Sequence, residues 1–240
     1  MKSLLASIAF CTRIPIRLAF TTEEVGRAAL WFPVVGTLLG LISLALSRGL
    51  TPYFPSAVVA VLILTAEALI TGALHHDGLA DAADGLGGGK TRADCLRIMR
   101  DHAIGSYGAT ALILLLGLKA VTISAVVAAN RCSVYLILAP VIGRWCIVLL
   151  SHWQPYARSS EAVSRHVGKT ELIWATIFCV AIVLPLGRWH GAVCWGAAAL
   201  SAMLFGLYCR RRIGGVTGDT LGASEQISEA VVLLLGVALR

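Results

Sequence analysis

The chain has 240 residues, 58% of them hydrophobic and 14% charged, with a mean hydropathy of +0.81. A soluble domain is nearer half apolar and a quarter charged, so these values exclude an ordinary water-solvated globule and indicate a chain solvated by lipid. The formal net charge of +7 would suit nucleic acid in a soluble protein, but in a membrane protein it reports topology first, and no nucleic-acid partner is expected.

The N-terminal MKSLLASIAFC mimics a signal peptide but has no A-x-A-like cleavage site before Arg13 and Arg17. It reads as an interfacial helix that stays attached. Runs of about 20 apolar residues, the length that crosses roughly 30 Å of hydrocarbon, mark candidate spans. They fall at 28–47, 54–74, 104–129, 133–151, 172–187, 191–209 and, shorter, 226–239. The expected fold is therefore an all-α, polytopic integral-membrane helical bundle of about seven transmembrane helices. It forms a single domain over residues 1–240, with no repeat and no low-complexity segment.

The basic residues alternate between sides. The N-terminal segment holds Lys2, Arg13, Arg17 and Arg27, and the second loop Lys90, Arg92, Arg97 and Arg100. The fourth loop holds Arg158, Arg165 and Lys169, and the sixth Arg210, Arg211 and Arg212. The opposite side carries only Arg48, Arg131, Arg188 and Arg240. The positive-inside rule then places the N-terminus, the second loop and the Arg210–Glu229 region in the cytoplasm. Seven cysteines, mostly within apolar runs and with no C-x-x-C pair, read as small buried hydrophobes rather than disulfides or zinc ligands.

Two stretches carry chemistry. Residues 75–108, HHDGLADAADGLGGGKTRADCLRIMRDHAIGSYG, contain Asp77, Asp81, Asp84, Asp94 and Asp101. Asp77, Asp81 and Asp84 are spaced i, i+4, i+7, which puts them on one helix face, where like charges repel. A solvated acidic face is one reading; a hard divalent cation held by carboxylate oxygens is the other. The second is favoured by Gly78 and Gly85, which give little side-chain cover, and by the apolar run that ends at Leu74. The other stretch, RRRIGGVTGDTLGASEQISEA (residues 210–230), has glycines that admit a close ligand around Asp219 and Thr220. Glu225 and Glu229 follow at helical spacing. A flexible basic loop on anionic lipid would account for the three arginines but not for T-G-D-T-L-G-A.

Three motifs in this order, H-x-D-G-L-A-D-A-A-D-G, I-M-R-D-x-x-I-G-x-Y-G and G-G-x-T-G-D-T-L-G-A, resemble the adenosylcobinamide-GDP ribazoletransferase (cobalamin synthase) family. T-R-I-P at 12–15 and F-P-x-x-G at 32–36 extend the resemblance over nearly the whole chain. His76 departs from the family's usual apolar residue, and His102-Ala103 replaces a small-plus-basic pair.

The resemblance implies transfer from adenosylcobinamide-GDP to α-ribazole or α-ribazole 5′-phosphate, releasing GMP, with Mg²⁺ as cofactor. It also implies a bacterial inner-membrane location with the active site facing the cytoplasm; the sequence leaves a homo-oligomer open. With it, the expected metal ligands are Asp77, Asp81, Asp84 and Asp219, and the expected catalytic residues Asp81, Asp101 and Asp219. His75, Arg144, Arg158, Arg211, Thr217, Gly218 and Thr220 are expected to bind substrate. Arg144, deep in its span, could face a substrate phosphate or a carboxylate of the bundle, and Glu67 could serve as a partner for such an arginine.

Other readings weigh less. GLGGGKT at 85–91 fails as a Walker A loop, because Asp84 stands where its first glycine belongs and no strand precedes it. A carboxylate-lined cation transporter would place its acids near the bilayer midplane. A CDP-alcohol phosphotransferase-like lipid enzyme would need D-x-x-D-G-x-x-A-R, which is absent.

Overall fold

The computed structural model describes residues 2–129, 133–158 and 163–239; Arg131, Cys132 and Arg240 lie outside them. Among the described residues there are ten α-helices, and the single β-bridge, Tyr156 to Val216, is isolated. They are α1 (Lys2–Cys11), α2 (Thr22–Arg27), α3 (Phe32–Leu50), α4 (Ser56–Thr71), α5 (Leu74–Gly88), α6 (Arg92–Ile98), α7 (Ser106–Ala128), α8 (Tyr135–Trp153), α9 (Lys169–Ile213) and α10 (Gly218–Ala238).

The core is built around α8. Every residue from Tyr135 to Ser151 is buried, as expected of a helix that is apolar all round and enclosed by others. Helices α3, α9 and α10 pack on it. On the periphery, Leu69, Ile113, Leu114 and Val121 are exposed, an apolar surface suited to lipid rather than water.

Among the described residues, five helices are long and apolar enough to cross a membrane, or six if the bent pair α4–α5 counts as one. The 45-residue α9 would be about 67 Å long if straight, more than twice the hydrocarbon thickness. It is not straight: Arg188 breaks it with φ 52° and ψ −138°. A Cβ on Gly191 would lie 2.6 Å from the Val183 carbonyl oxygen, whereas residues eight apart in one helix are separated by about 12 Å. The arms therefore fold back on each other, and counting them separately brings the number to seven. Both arms bury small residues in rows, including Ala175, Cys179 and Gly187 in the first and Gly191, Ala198 and Gly206 in the second. Such residues let membrane helices approach closely.

The last helix is longer than its apolar stretch suggested, 21 residues beginning at Gly218. Its polar first half, with Glu225, Gln226 and Glu229, is buried against partners, so it continues the span.

Helices α4 and α5 meet at 91°. Gly72 (φ 64°) caps α4 and Ala73 (φ 56°) follows it in the same left-handed region, which glycine enters freely and alanine at a cost. The corner turns α5 sharply away from the direction of α4. Gly72→Val is expected to destabilise the detergent-solubilised protein by about 1–3 kcal/mol, since it puts a β-branched residue at positive φ; a thermal melt checks this, and an unchanged midpoint would contradict it. The described cysteines Cys11, Cys95, Cys146, Cys179, Cys194 and Cys209 are free and buried, as their apolar context predicts.

Candidate active site

Helix α5 lies against the N-terminal half of α10, and glycines set how close the two come. A Cβ built on Gly78 would be 2.9 Å from the backbone oxygen of Asp219, and one on Gly222 would be 3.2 Å from the Cα of His75. Side chains at these positions would force the helices apart. The contact sets Asp219 beside the α5 face that carries Asp77 and Asp81, so residues more than 130 positions apart come together.

Asp219 is held firmly. Thr217 caps α10: its Oγ1 accepts from the Thr220 amide at 3.2 Å, while Thr220 Oγ1 accepts from the Thr217 amide at 2.8 Å. Both threonines are fully buried and their hydroxyls serve this reciprocal cap rather than an open pocket. Arg158 Nη2 donates to Asp219 Oδ2 at 2.9 Å, and Thr217 Oγ1 donates to the same oxygen at 3.2 Å.

On α5, Asp77 is exposed and Asp81 half-buried. Burial, then the charges of Asp77, Asp219 and Asp84, push the Asp81 carboxyl up to about 6, against the lowering effect of Arg158. Like charges gathered this way disfavour ionisation. Asp84 is engaged elsewhere: Oδ2 accepts from the Gly105 amide at 2.7 Å and Oδ1 from the Gly108 amide at 2.9 Å. It thereby satisfies amides at the start of α7, which have no partners within that helix.

Among the described residues, no group of three or more His, Cys, Asp or Glu side chains is gathered tightly enough to hold an ion as it stands. The donor chemistry does fit a hard divalent cation. Asp77, Asp81 and Asp219 offer carboxylate oxygens from two helices, and the excess of negative charge around Asp81 is what a cation would relieve.

The other candidates separate into three groups. Asp101 sits in the exposed link before α7, where its Oδ1 accepts from the Ala103 amide at 3.1 Å; no contact joins it to the other aspartates. Arg211 is exposed in the last turn of α9, while Arg212 Nη2 donates to the Leu86 and Gly89 carbonyls at 3.2 and 2.7 Å, tying α9 to the end of α5.

His75 and Arg144 belong to a buried ionic network. His75 Nδ1 is 3.2 Å from Glu225 Oε2, an ion-pair distance without hydrogen-bond alignment. Arg144 Nη1 lies 2.9 Å from Glu225 Oε1 and 3.0 Å from Glu229 Oε1. Lys119 Nζ pairs with Glu229 Oε2 at 2.5 Å and lies 3.8 Å from Glu67 Oε2, and Ser43 Oγ donates to Glu67 Oε1 at 2.9 Å. Of the two expected roles for Arg144, pairing with bundle carboxylates is the one its contacts support. Glu67 pairs with Lys119, an intramembrane lysine whose partners the sequence did not identify.

Two concave spaces flank the Arg158–Asp219 pair. One, of about 290 Å³, is lined by Phe10, Phe32, Ile147 and Leu221, with Asp77 and Asp219 in its wall. The other, of about 610 Å³, is lined by Arg92, Arg97, Arg100 and Arg158. Neither was foreseen from the sequence, because their walls come from segments far apart in the chain.

The model of the family described as cobalamin-5-phosphate synthase matches residues 3–237. The chain belongs to the cobalamin-5-phosphate synthase family. Among its curated relatives, the adenosylcobinamide-GDP ribazoletransferase of Prosthecochloris aestuarii is 40% identical over 218 residues, 88% of this chain and 87% of the relative. The proteins of the same name from Ralstonia pickettii and Pseudomonas putida are 36% and 39% identical over 97% of this chain, covering 93% and 97% of their own lengths. No solved structure matches.

Proposed function

We propose that this protein is an integral-membrane transferase that joins adenosylcobinamide-GDP to α-ribazole or its 5′-phosphate, releasing GMP, with Mg²⁺. A ribose hydroxyl of the acceptor forms a bond to the corrinoid-linked phosphorus, the bond from that phosphorus to GMP breaks, and the hydroxyl proton leaves to a carboxylate of the cluster. Catalysis of such a displacement is mostly positioning and charge neutralisation. Asp77, Asp81 and Asp219 would hold Mg²⁺, which would supply positive charge to offset that on departing GMP. Arg158 restrains Asp219 and turns a cationic surface toward the anionic donor.

The observation that carries this reading is the meeting of Asp219 with the Asp77–Asp81 face through Gly78, beside a groove of four arginines. The relatives' shared name supports the substrates. A transporter reading finds less support, because the deep acids Glu67, Glu225 and Glu229 each meet a cation. Purified protein supplied with Mg²⁺ and both substrates should release GMP in step with the new corrinoid; no GMP from folded protein would refute the reading.

The site faces the cytoplasm on this account, at the end of the bundle rich in Lys and Arg. A cysteine reporter at Gly88, exposed at the end of α5, should be labelled only from the cytoplasm, and one at Thr51, exposed after α3, only from outside. The reverse pattern would invert the assigned orientation.

A further inference from the structure

We infer that the 290 Å³ cavity beside Asp77 and Asp219 seats the aromatic base of the acceptor nucleoside, while the nucleoside-diphosphate end of the donor lies in the arginine groove on the far side of Arg158. The inference rests on the transferase reading and assigns its two substrates to two places.

Size is the first argument. Pockets that enclose drug-sized ligands run from about 300 to 1,000 Å³, so a space of about 290 Å³ admits a bicyclic base with part of its sugar. A corrin macrocycle is far too large for it.

Charge is the second. Among the described residues the cavity wall contains Asp77, Asp219 and His75 but no lysine or arginine, so an anionic group there would depend wholly on the cation those acids would hold, whereas an uncharged base would not. The groove has the opposite character, with Arg92, Arg97, Arg100 and Arg158 around about 610 Å³. Arginine's planar fork suits phosphate oxygens. Arg158 stands at the boundary: it lines the groove and pairs with Asp219, which lines the cavity.

The chemistry of the walls is the third. Phe10 and Phe32 lie parallel, ring centroids 5.7 Å apart and interplanar angle 1°, and together with Ile147 and Leu221 they offer flat and aliphatic contact to an apolar ring. Set among them, Ser164 is 8% exposed and its Oγ has no hydrogen-bond partner. A buried hydroxyl without a partner is costly. A ring nitrogen or ribose hydroxyl would satisfy it, whereas a lipid acyl chain would leave it unmet. The cavity reaches the carboxylates at Asp77 and Asp219, so a base seated in it projects its sugar toward the reacting phosphorus.

Ser151, buried on α8, lines the same cavity. Ser151→Phe should fill the space and raise KM for α-ribazole at least tenfold, leaving KM for adenosylcobinamide-GDP within twofold. Val167→Ala, which enlarges the space, guards against a misfolded phenylalanine variant; it should let the enzyme accept an α-riboside whose base carries an extra fused ring and which wild type rejects. Arg97→Ala should move the KM values the other way, raising that of the donor alone. If wild type turns over but neither Ser151→Phe nor Val167→Ala changes acceptor use, the inference fails and the transferase reading stands. Release of a phospholipid by Ser151→Phe, seen by native mass spectrometry with acceptor KM unmoved, would assign the cavity to lipid instead. No GMP from wild type would remove the reading and the inference together.

Discussion

Asp81→Asn is expected to lower GMP release roughly a thousandfold while the protein remains folded in detergent. The loss is large because the substitution removes a carboxylate from the centre of the proposed cation site, and positioned charge at phosphoryl-transfer centres contributes orders of magnitude in rate. The fold should tolerate it. Asp81 is half-buried, and its neighbours Asp77, Asp219 and Asp84 oppose its ionisation, so a neutral amide of the same shape relieves repulsion. Turnover and thermal midpoint measured on one preparation check both parts. A near-normal rate at ordinary Mg²⁺ would remove Asp81 from the site, and loss of the fold would show the charge to be structural.

The second large effect joins the helices. Asp219→Ala should also abolish turnover, and Asp81→Asn combined with Asp219→Ala should be scarcely slower than either variant alone. Groups that act as one unit give non-additive losses. The structural basis is the approach of α5 and α10 at Gly78 and Gly222, which brings the two stretches together. Losses that multiply in the double-mutant cycle would mean that α10 does a separate job. Arg158→Ala should fall between these cases, since it loosens Asp219 and thins the groove but keeps every carboxylate.

The spans were legible because hydrocarbon thickness imposes a length on apolar runs: α3, α7 and α8 lie within a few residues of where composition put them, apart from the extra residues at the end of α3. The turn at Arg188 was legible too, as the break between two runs. The corner at Gly72–Ala73 was not, since the apolar run continues through Leu74 and nothing local marks two successive left-handed residues. The length of α10 was hidden for a related reason. Glu225 and Glu229 look like the end of a soluble segment until Arg144, Lys119 and His75, on three other helices, are seen to face them.

Within the candidate site, the i, i+4, i+7 spacing of Asp77, Asp81 and Asp84 placed the three on one helix, α5. It could not separate Asp84, whose carboxylate meets the Gly105 and Gly108 amides of α7, from its neighbours. Thr217 and Thr220 lie beside Asp219 in sequence, yet their hydroxyls cap α10. The cavity and the arginine groove draw on segments scattered from Phe10 to Leu221, and only the packed fold assembles them.

On the proposed reading, carboxylates from α5 and α10 hold one divalent cation between them. Mn²⁺, which also takes oxygen ligands, reports on this by electron paramagnetic resonance without any turnover. Wild-type protein titrated with Mn²⁺ should show saturable loss of the free-ion signal, and Mg²⁺ should restore it. Asp81→Asn and Asp219→Ala should each weaken uptake at least tenfold, whereas Asp101→Asn should leave it unchanged. Undiminished uptake in both of the first two variants would contradict the account.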